Sequence, residues 1–377
     1  VFTTTHFSDF GIFKGGIPVI SGNGLKIAFN AGLPVKLYSD INVTNTINLD
    51  DGENYYLDLN GKSIISTCDL FDAANKANCI SKNSPTRTCT DEDPCFTHHA
   101  RPWKTTSLTI IGNNGCIDTN GSAQTSIVNS MYNDAFELEI IGGSYNTKKF
   151  NNASVLGQYA FNLSGGSAIF DSVTIGSTDS PVYVGIWASY NGVDYLNIKN
   201  SSVICGTGYS TSQPEYNGGL GIYVGVVNTA IIENTTVTHV NNAGGAAVEI
   251  KSGNVTIDNC TLSSSLFDTD FTEVNHNGSG AGSATLTINN GYSSKTPANI
   301  KIIGGSITTT NTTESASPVL ITSDGSKTTY PVINVTIPQG LEFMYGFTSS
   351  DSKDIIVHIV SDDGSITTTT YSYTPSV

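Results

Sequence analysis

Seven short segments of the chain carry one five-residue signature, and its recurrence constrains the fold more than any single motif does. They are Leu57-Asp58-Leu59-Asn60-Gly61, Leu108-Thr109-Ile110-Ile111-Gly112, Leu138-Glu139-Ile140-Ile141-Gly142, Leu196-Asn197-Ile198-Lys199-Asn200, Ala230-Ile231-Ile232-Glu233-Asn234, Val255-Thr256-Ile257-Asp258-Asn259 and Ile300-Lys301-Ile302-Ile303-Gly304. Apolar residues two apart line one face of a strand, and Gly or Asn tolerates the left-handed backbone of a sharp corner. A second inward residue follows most corners: Ile64, Tyr145, Val203, Val237, Leu262 or Ile307, with Gly115 interrupting the second copy. Strand, corner and strand, repeated, make a coil.

The copies start 51, 30, 58, 34, 25 and 45 residues apart, which fits a unit of roughly 25 to 34 residues with insertions, within the range of solenoid repeats. The 58-residue gap hides a degenerate copy near Ser167 to Ile175, and the 51-residue gap holds a cysteine-rich insertion. Coils stacked ~4.8 Å apart would bury one continuous core. The chain resembles the right-handed parallel β-helix superfamily typified by pectate lyases over roughly residues 41–330, and Asn200, Asn234 and Asn259 resemble that superfamily's asparagine ladder. The expected fold is all-β: one right-handed parallel β-helix spanning 41–330, an N-terminal cap at 1–40, a disulfide-rich loop at 66–104 and a C-terminal β-hairpin within 331–377. Phe2, Phe7, Phe10, Phe13 and Phe29 suit the first cap, because an open strand edge must be covered. The run Ile355 to Val360, the turn at Asp362-Asp363-Gly364 and a Thr-rich strand to Tyr373 suit a hairpin that either caps the last coil or pairs with a neighbouring subunit.

Charged residues are 13% of the chain and Gly is 38 of 377, as expected where short strands alternate with tight turns. No apolar stretch approaches the ~20 residues of a membrane span. The chain starts at Val1 rather than Met, as it would after removal of a signal peptide. Eleven Asn-x-Ser/Thr sequons occur. Asn42, Asn120, Asn152, Asn277 and Asn311 are the glycosylation candidates, ranked above the corner residues, which would be buried in a ladder. Cys68, Cys79, Cys89, Cys95 and Cys116 read as disulfides stapling the insertion in an oxidising compartment. Zinc is the rival reading, although no C-x-x-C pair is present. Cys205 and Cys260 fall two coils apart, roughly 9.6 Å along the axis, beyond the ~7 Å that a disulfide spans. The expected location is extracellular.

A formal charge of -15 argues against nucleic acid, and against polyanionic polysaccharides unless calcium bridges the like charges. The resemblance implies two enzyme classes, lyases and polygalacturonase-like hydrolases. Lyases of this fold commonly supply an Arg or Lys to the developing enolate, yet Arg87 and Arg101 are the only arginines. The hydrolases' Asn-Thr-Asp, Gly-His-Gly and Arg-Ile-Lys sets are absent from the sequence. The insertion gathers Asp91, His98, His99 and Arg101, a carboxylate, imidazoles and a guanidinium that suit a catalytic site; the plainer alternative is a solvated loop. Trp103, Trp187 and Tyr190 are the candidates for stacking on sugar rings, with core packing as the alternative for Trp187. No cofactor and no metal is expected. Two functions remain open: a glycosylated structural or adhesive protein of a cell surface, filament or virion that self-assembles or meets other surface proteins, and a carbohydrate-active enzyme or glycan-binding protein.

Overall fold

The computed structural model describes residues 16–73, 104–120, 125–131, 133, 135–147, 159–189, 192–206, 219–240, 245–264, 284–290, 297–310, 317–323, 332–347 and 350–374. Among them the chain is a parallel β-solenoid of three long sheets with thirteen (sheet A), nine (sheet B) and ten (sheet C) strands. From Val35 to Ser323 each coil passes from A to B to C, the last goes from Ile333–Pro338 in A directly to Met344–Phe347 in C, and equivalent strands of successive coils pair in parallel. The single antiparallel pair among the described strands is Ile355–Val360 with Ile366–Tyr371 at the end of sheet A. The parallel stack therefore continues past residue 331, through Ile333–Pro338 and Ile355–Val360, and at its start reaches back to Ile17–Val19.

The repeated signature is the last part of each sheet A strand plus the A-to-B corner. Leu108, Leu138, Ala168, Leu196, Ala230, Val255 and Ile300 form one inward column in register, with the degenerate copy in its place. The first copy is displaced by two residues: Tyr55 pairs with Leu108 and Leu57 with Ile110. A shift of two preserves which face each side chain takes, so the pattern alone does not reveal it. Gly115 does not break the sheet B column either. Two extra corner residues, Asn113 and Asn114 with φ 45° and 62°, bring Ile117 level with Ile64 and Tyr145.

Corners explain the Asn and Gly pattern. Asn200, Asn234 and Asn259 have φ of 52°, 48° and 49°, and Gly142 and Gly304 take 67° and 63° at the same place. The three asparagines are exposed rather than buried, which removes the reason for ranking them below the other sequons. Asn259 donates to Asn234 Oδ1 at 2.8 Å and Asn200 to Asp171 Oδ1 at 3.1 Å. A second ladder, not foreseen from the sequence, runs along the outside of sheet A: Asn334 donates to Asn299 at 3.1 Å and Asn299 to Asn254 at 3.0 Å.

One residue from each sheet meets inside a coil. Phe170 from A, Tyr145 from B and Phe161 from C pack edge-on, with ring centroids 4.9 and 5.6 Å apart, and the Tyr145 hydroxyl donates to the Gly142 carbonyl. At the N-terminal end the helix Gly22–Asn30, capped by Ser21, lowers Leu25 and Phe29 onto the first coil. Phe29 stacks on Phe71 and Tyr55 at 5.4 and 5.2 Å. At the other end Tyr371 lies 4.0 Å from Tyr345.

Candidate functional site

The three corners of a coil are unequal, and that inequality selects one face. Six of the nine A-to-B connections among the described strands span two residues between strand ends, whereas every long intervening segment enters or leaves sheet C. Thr147 to Tyr159, Gly206 to Gly219 and Ser264 to Leu286 lead into it; Asp72 to Thr106 and Asn289 to Ala298 lead out. In solenoids, the face where insertions leave the coils is often the binding face.

The outward column of sheet C runs the length of the stack: Asn48, Asp72, Asn129, Asn162, Trp187, Tyr223, Glu249, Thr287, Leu320 and Met344. It begins polar, turns aromatic, then charged. Asn162 donates to Asn129 Oδ1 at 3.2 Å. Trp187 stacks on Tyr223 with centroids 3.8 Å apart and planes 12° from parallel, and Tyr159 tilts against Trp187 at 5.2 Å.

Small residues create this aromatic patch. At Ala160, Gly185, Gly221 and Ala247 the ladder pairing is interrupted, and the chain turns these residues inward. A Cβ on Gly221 would meet Val237 at 2.4 Å, and one on Gly185 would meet Val203 at 2.8 Å. The preceding residues, Tyr159, Val184, Leu220 and Ala246, are thereby turned outward beside Trp187 and Tyr223. They form a hydrophobic cluster separate from the main core. Trp187 is half-buried there and packs against this cluster on the outward side of sheet C, not within the main core.

One coil further, Glu249 and Lys251 are both fully shielded, with Lys251 Nζ 3.7 Å from Glu249 Oε1 and 5.8 Å from the Tyr223 ring centre. That is ion-pair range: neither carboxylate oxygen has a hydrogen-bond partner within 3.5 Å among the described residues. Burial pushes the Glu249 carboxyl up to about 7, and the nearby Lys251 and Asn289 side chains draw it back only in part. Sequence reasoning passed over this pair; the available signal was two same-parity charges in the otherwise apolar run Ala246-Ala247-Val248-Glu249-Ile250-Lys251.

The other expected site residues are scattered or undescribed. Asp91, His98, His99, Arg101, Trp103, Tyr190, Cys79, Cys89, Cys95, Asn152, Asn277 and Asn311 lie outside the described residues. The first eight residues of the 66–104 stretch belong to the coil, since Phe71–Asp72 is a sheet C strand. Cys68, Cys116, Cys205 and Cys260 are free thiols, and no disulfide occurs among the described residues. Burial raises the Cys116 and Cys260 thiols. Asn42 and Asn120 are exposed, whereas the sequon residue Asn162 is buried on sheet C. Asp363 accepts from the Ser365 backbone at 2.9 Å, the turn role expected of it. Among the described residues no three His, Cys, Asp or Glu cluster as metal ligands would, and no helix is long and apolar enough to cross a membrane.

The chain matches no protein-family model, no curated protein and no solved structure.

Proposed function

We propose that the protein is an extracellular adhesive β-solenoid that holds an extended neutral or cationic glycan along sheet C. The carrying observation is the half-buried pair Tyr159 and Trp187 on the outward side of sheet C, backed by the buried ring of Tyr223 and built by the small-residue column beside the connections that enter and leave this sheet. Aromatic faces stack on sugar rings without needing charge, and the net charge of -15 disfavours a polyanion. Right-handed winding, as parallel crossovers almost always show, and kinship with the pectate-lyase-like superfamily belong to the same reading. So do glycosylation at Asn42 and Asn120, whose side chains are exposed. Self-association is supported by the strand Ile366–Tyr371, which ends sheet A and has no further strand on its outer edge among the described residues, leaving donors and acceptors for strand addition.

The test is a glycan microarray with the full chain and its Trp187→Ala variant, alongside release of oligosaccharides from any polysaccharide bound. Loss of one aromatic stack, worth roughly 1 kcal/mol, should weaken binding about fivefold with no product released. Turnover would favour a carbohydrate-active enzyme instead. Binding that ignores Trp187 would remove the basis of both readings on this face.

A further inference from the structure

Glu249, Lys251 and Asn289 occupy adjacent coils on the outward side of sheet C. The strand Gly245–Ile250 pairs in parallel with Leu286–Asn289, with Glu249 opposite Thr287 and Ile250 opposite Ile288. One step on, the same register sets Lys251 beside Asn289, and by strand alternation Glu249, Lys251, Thr287 and Asn289 all take the outward side. The relative exposures of Glu249, Lys251 and Asn289 are 0%, 1% and 2%. Tyr223 lies across the amine.

As a structural salt bridge this arrangement is badly made. Desolvating two charges costs several kcal/mol each, recovered only with close geometry and further hydrogen bonds. Here the separation is 3.7 Å and the carboxylate oxygens have no hydrogen bond among the described residues. The same groups in neutral form are the parts needed for acyl transfer: an amine, a carboxamide, and a carboxylic acid that can move a proton between them, in a site closed to water. Burial raises the Glu249 carboxyl toward its neutral form, and a proton passed from the amine to the carboxylate removes both charges from the dry site.

We propose that Lys251 and Asn289 condense into an intramolecular isopeptide bond, with Glu249 as the proton carrier. The Lys251 Nζ lone pair attacks Asn289 Cγ while the Glu249 carboxyl hydrogen-bonds Oδ1. The proton released from Nζ passes through Glu249 to Nδ2, the Cγ–Nδ2 bond breaks, and ammonia leaves. The product is a secondary amide joining Nζ to Cγ, and Glu249 is returned as the acid. No oxidant, reductant or further reactant enters. Elsewhere on the column Asn129 and Asn162 pair amide to amide with no amine between them, so this chemistry belongs to one rung. The bond would tie two neighbouring coils and close a loop over residues 252–288. The inference is independent of whether the face binds a glycan.

The experiment is peptide mapping of the folded full-length chain, with the fragment spanning both residues sequenced by tandem mass spectrometry. The expected result is a branched peptide joining Lys251 to Asn289, lighter than its parts by one ammonia and present in essentially every folded chain. Glu249→Gln should retain the fold by circular dichroism yet keep the two peptides separate, and Lys251→Met should do the same. Separate, full-mass peptides from the folded wild type would overturn the proposal. So would an ammonia loss that maps to a succinimide at Asn290-Gly291, or a branch that persists undiminished in Glu249→Gln.

Discussion

Replacing His239 by Leu should flatten much of the protein's response to mild acid. The residue lies inside the stack, fully buried, in the sheet B column between Cys205 and Ser264. Burial lowers its imidazole from 6.5 to about 4, and a hydrogen bond with the Gly219 backbone restores part of the loss. The folded protein therefore holds His239 neutral while the unfolded chain protonates it near 6.5. Above 6.5 neither state binds the proton and stability is at its full value. As pH falls below 6.5 the unfolded state gains a proton that the native state refuses, and stability declines until the native imidazole also titrates near 4. At about 1.4 kcal/mol per pH unit, the gap is worth roughly 3 kcal/mol, a large fraction of the ~5–15 kcal/mol that holds a typical domain together. Urea titrations of wild type and His239→Leu across that window measure it. Carboxylates titrate in both proteins, and the altered packing of the variant is a constant offset, so the difference between the two curves isolates the histidine. Curves that run parallel from 6.5 down to 4 would refute the reasoning.

Gly253 has φ 97°, and a Cβ there would stand 2.1 Å from the Val227 carbonyl oxygen; Gly253→Ala should cost at least about 2 kcal/mol, and a change in urea midpoint within error would contradict this. Asn234→Ala should cost roughly 1–2 kcal/mol because of its left-handed φ of 48°, and Asn234→Gly distinctly less. Equal losses would mean that the side-chain contact from Asn259, not the backbone, holds the corner. Phe29→Ala removes both ring contacts of the N-terminal helix and should cost about 3–5 kcal/mol. Hydrogen exchange should then rise first in Val35–Leu37 and Ile41–Val43, and uniform protection would show that the helix does not close this end.

What the sequence made legible was the part of each coil with least freedom. A corner of two residues admits only Gly, Asn or another residue able to take positive φ, so Gly142, Asn200, Asn234, Asn259 and Gly304 announced themselves and fixed the neighbouring strands. Register at Leu57 and Ile117 was lost because four-residue corners leave the period-two alternation unchanged. Sheet C was the least readable. Gly219-Leu220-Gly221-Ile222-Tyr223-Val224 is buried on both sides, so the apolar-polar alternation vanishes, and the inward turn at Gly221 resembles any other strand glycine. For the same reason Trp187 could not be assigned to a face, and Glu249 with Lys251 read as strand residues of no special kind. Pairing across coils, which alone brings Lys251 beside Asn289, crosses the insertion at 265–283 and has no local signature.

The most direct test of the account is to place one Glu on each outward face in turn: Thr256→Glu on sheet A, Thr238→Glu on sheet B and Tyr159→Glu on sheet C. All three positions are half-buried on their sheets, so each variant can be checked for an unchanged fold before its binding to the glycan microarray is measured. The account predicts that only Tyr159→Glu lowers binding. Comparable loss from the sheet A or sheet B variant, with sheet C tolerant, would contradict the assignment of recognition to the face that the insertions flank.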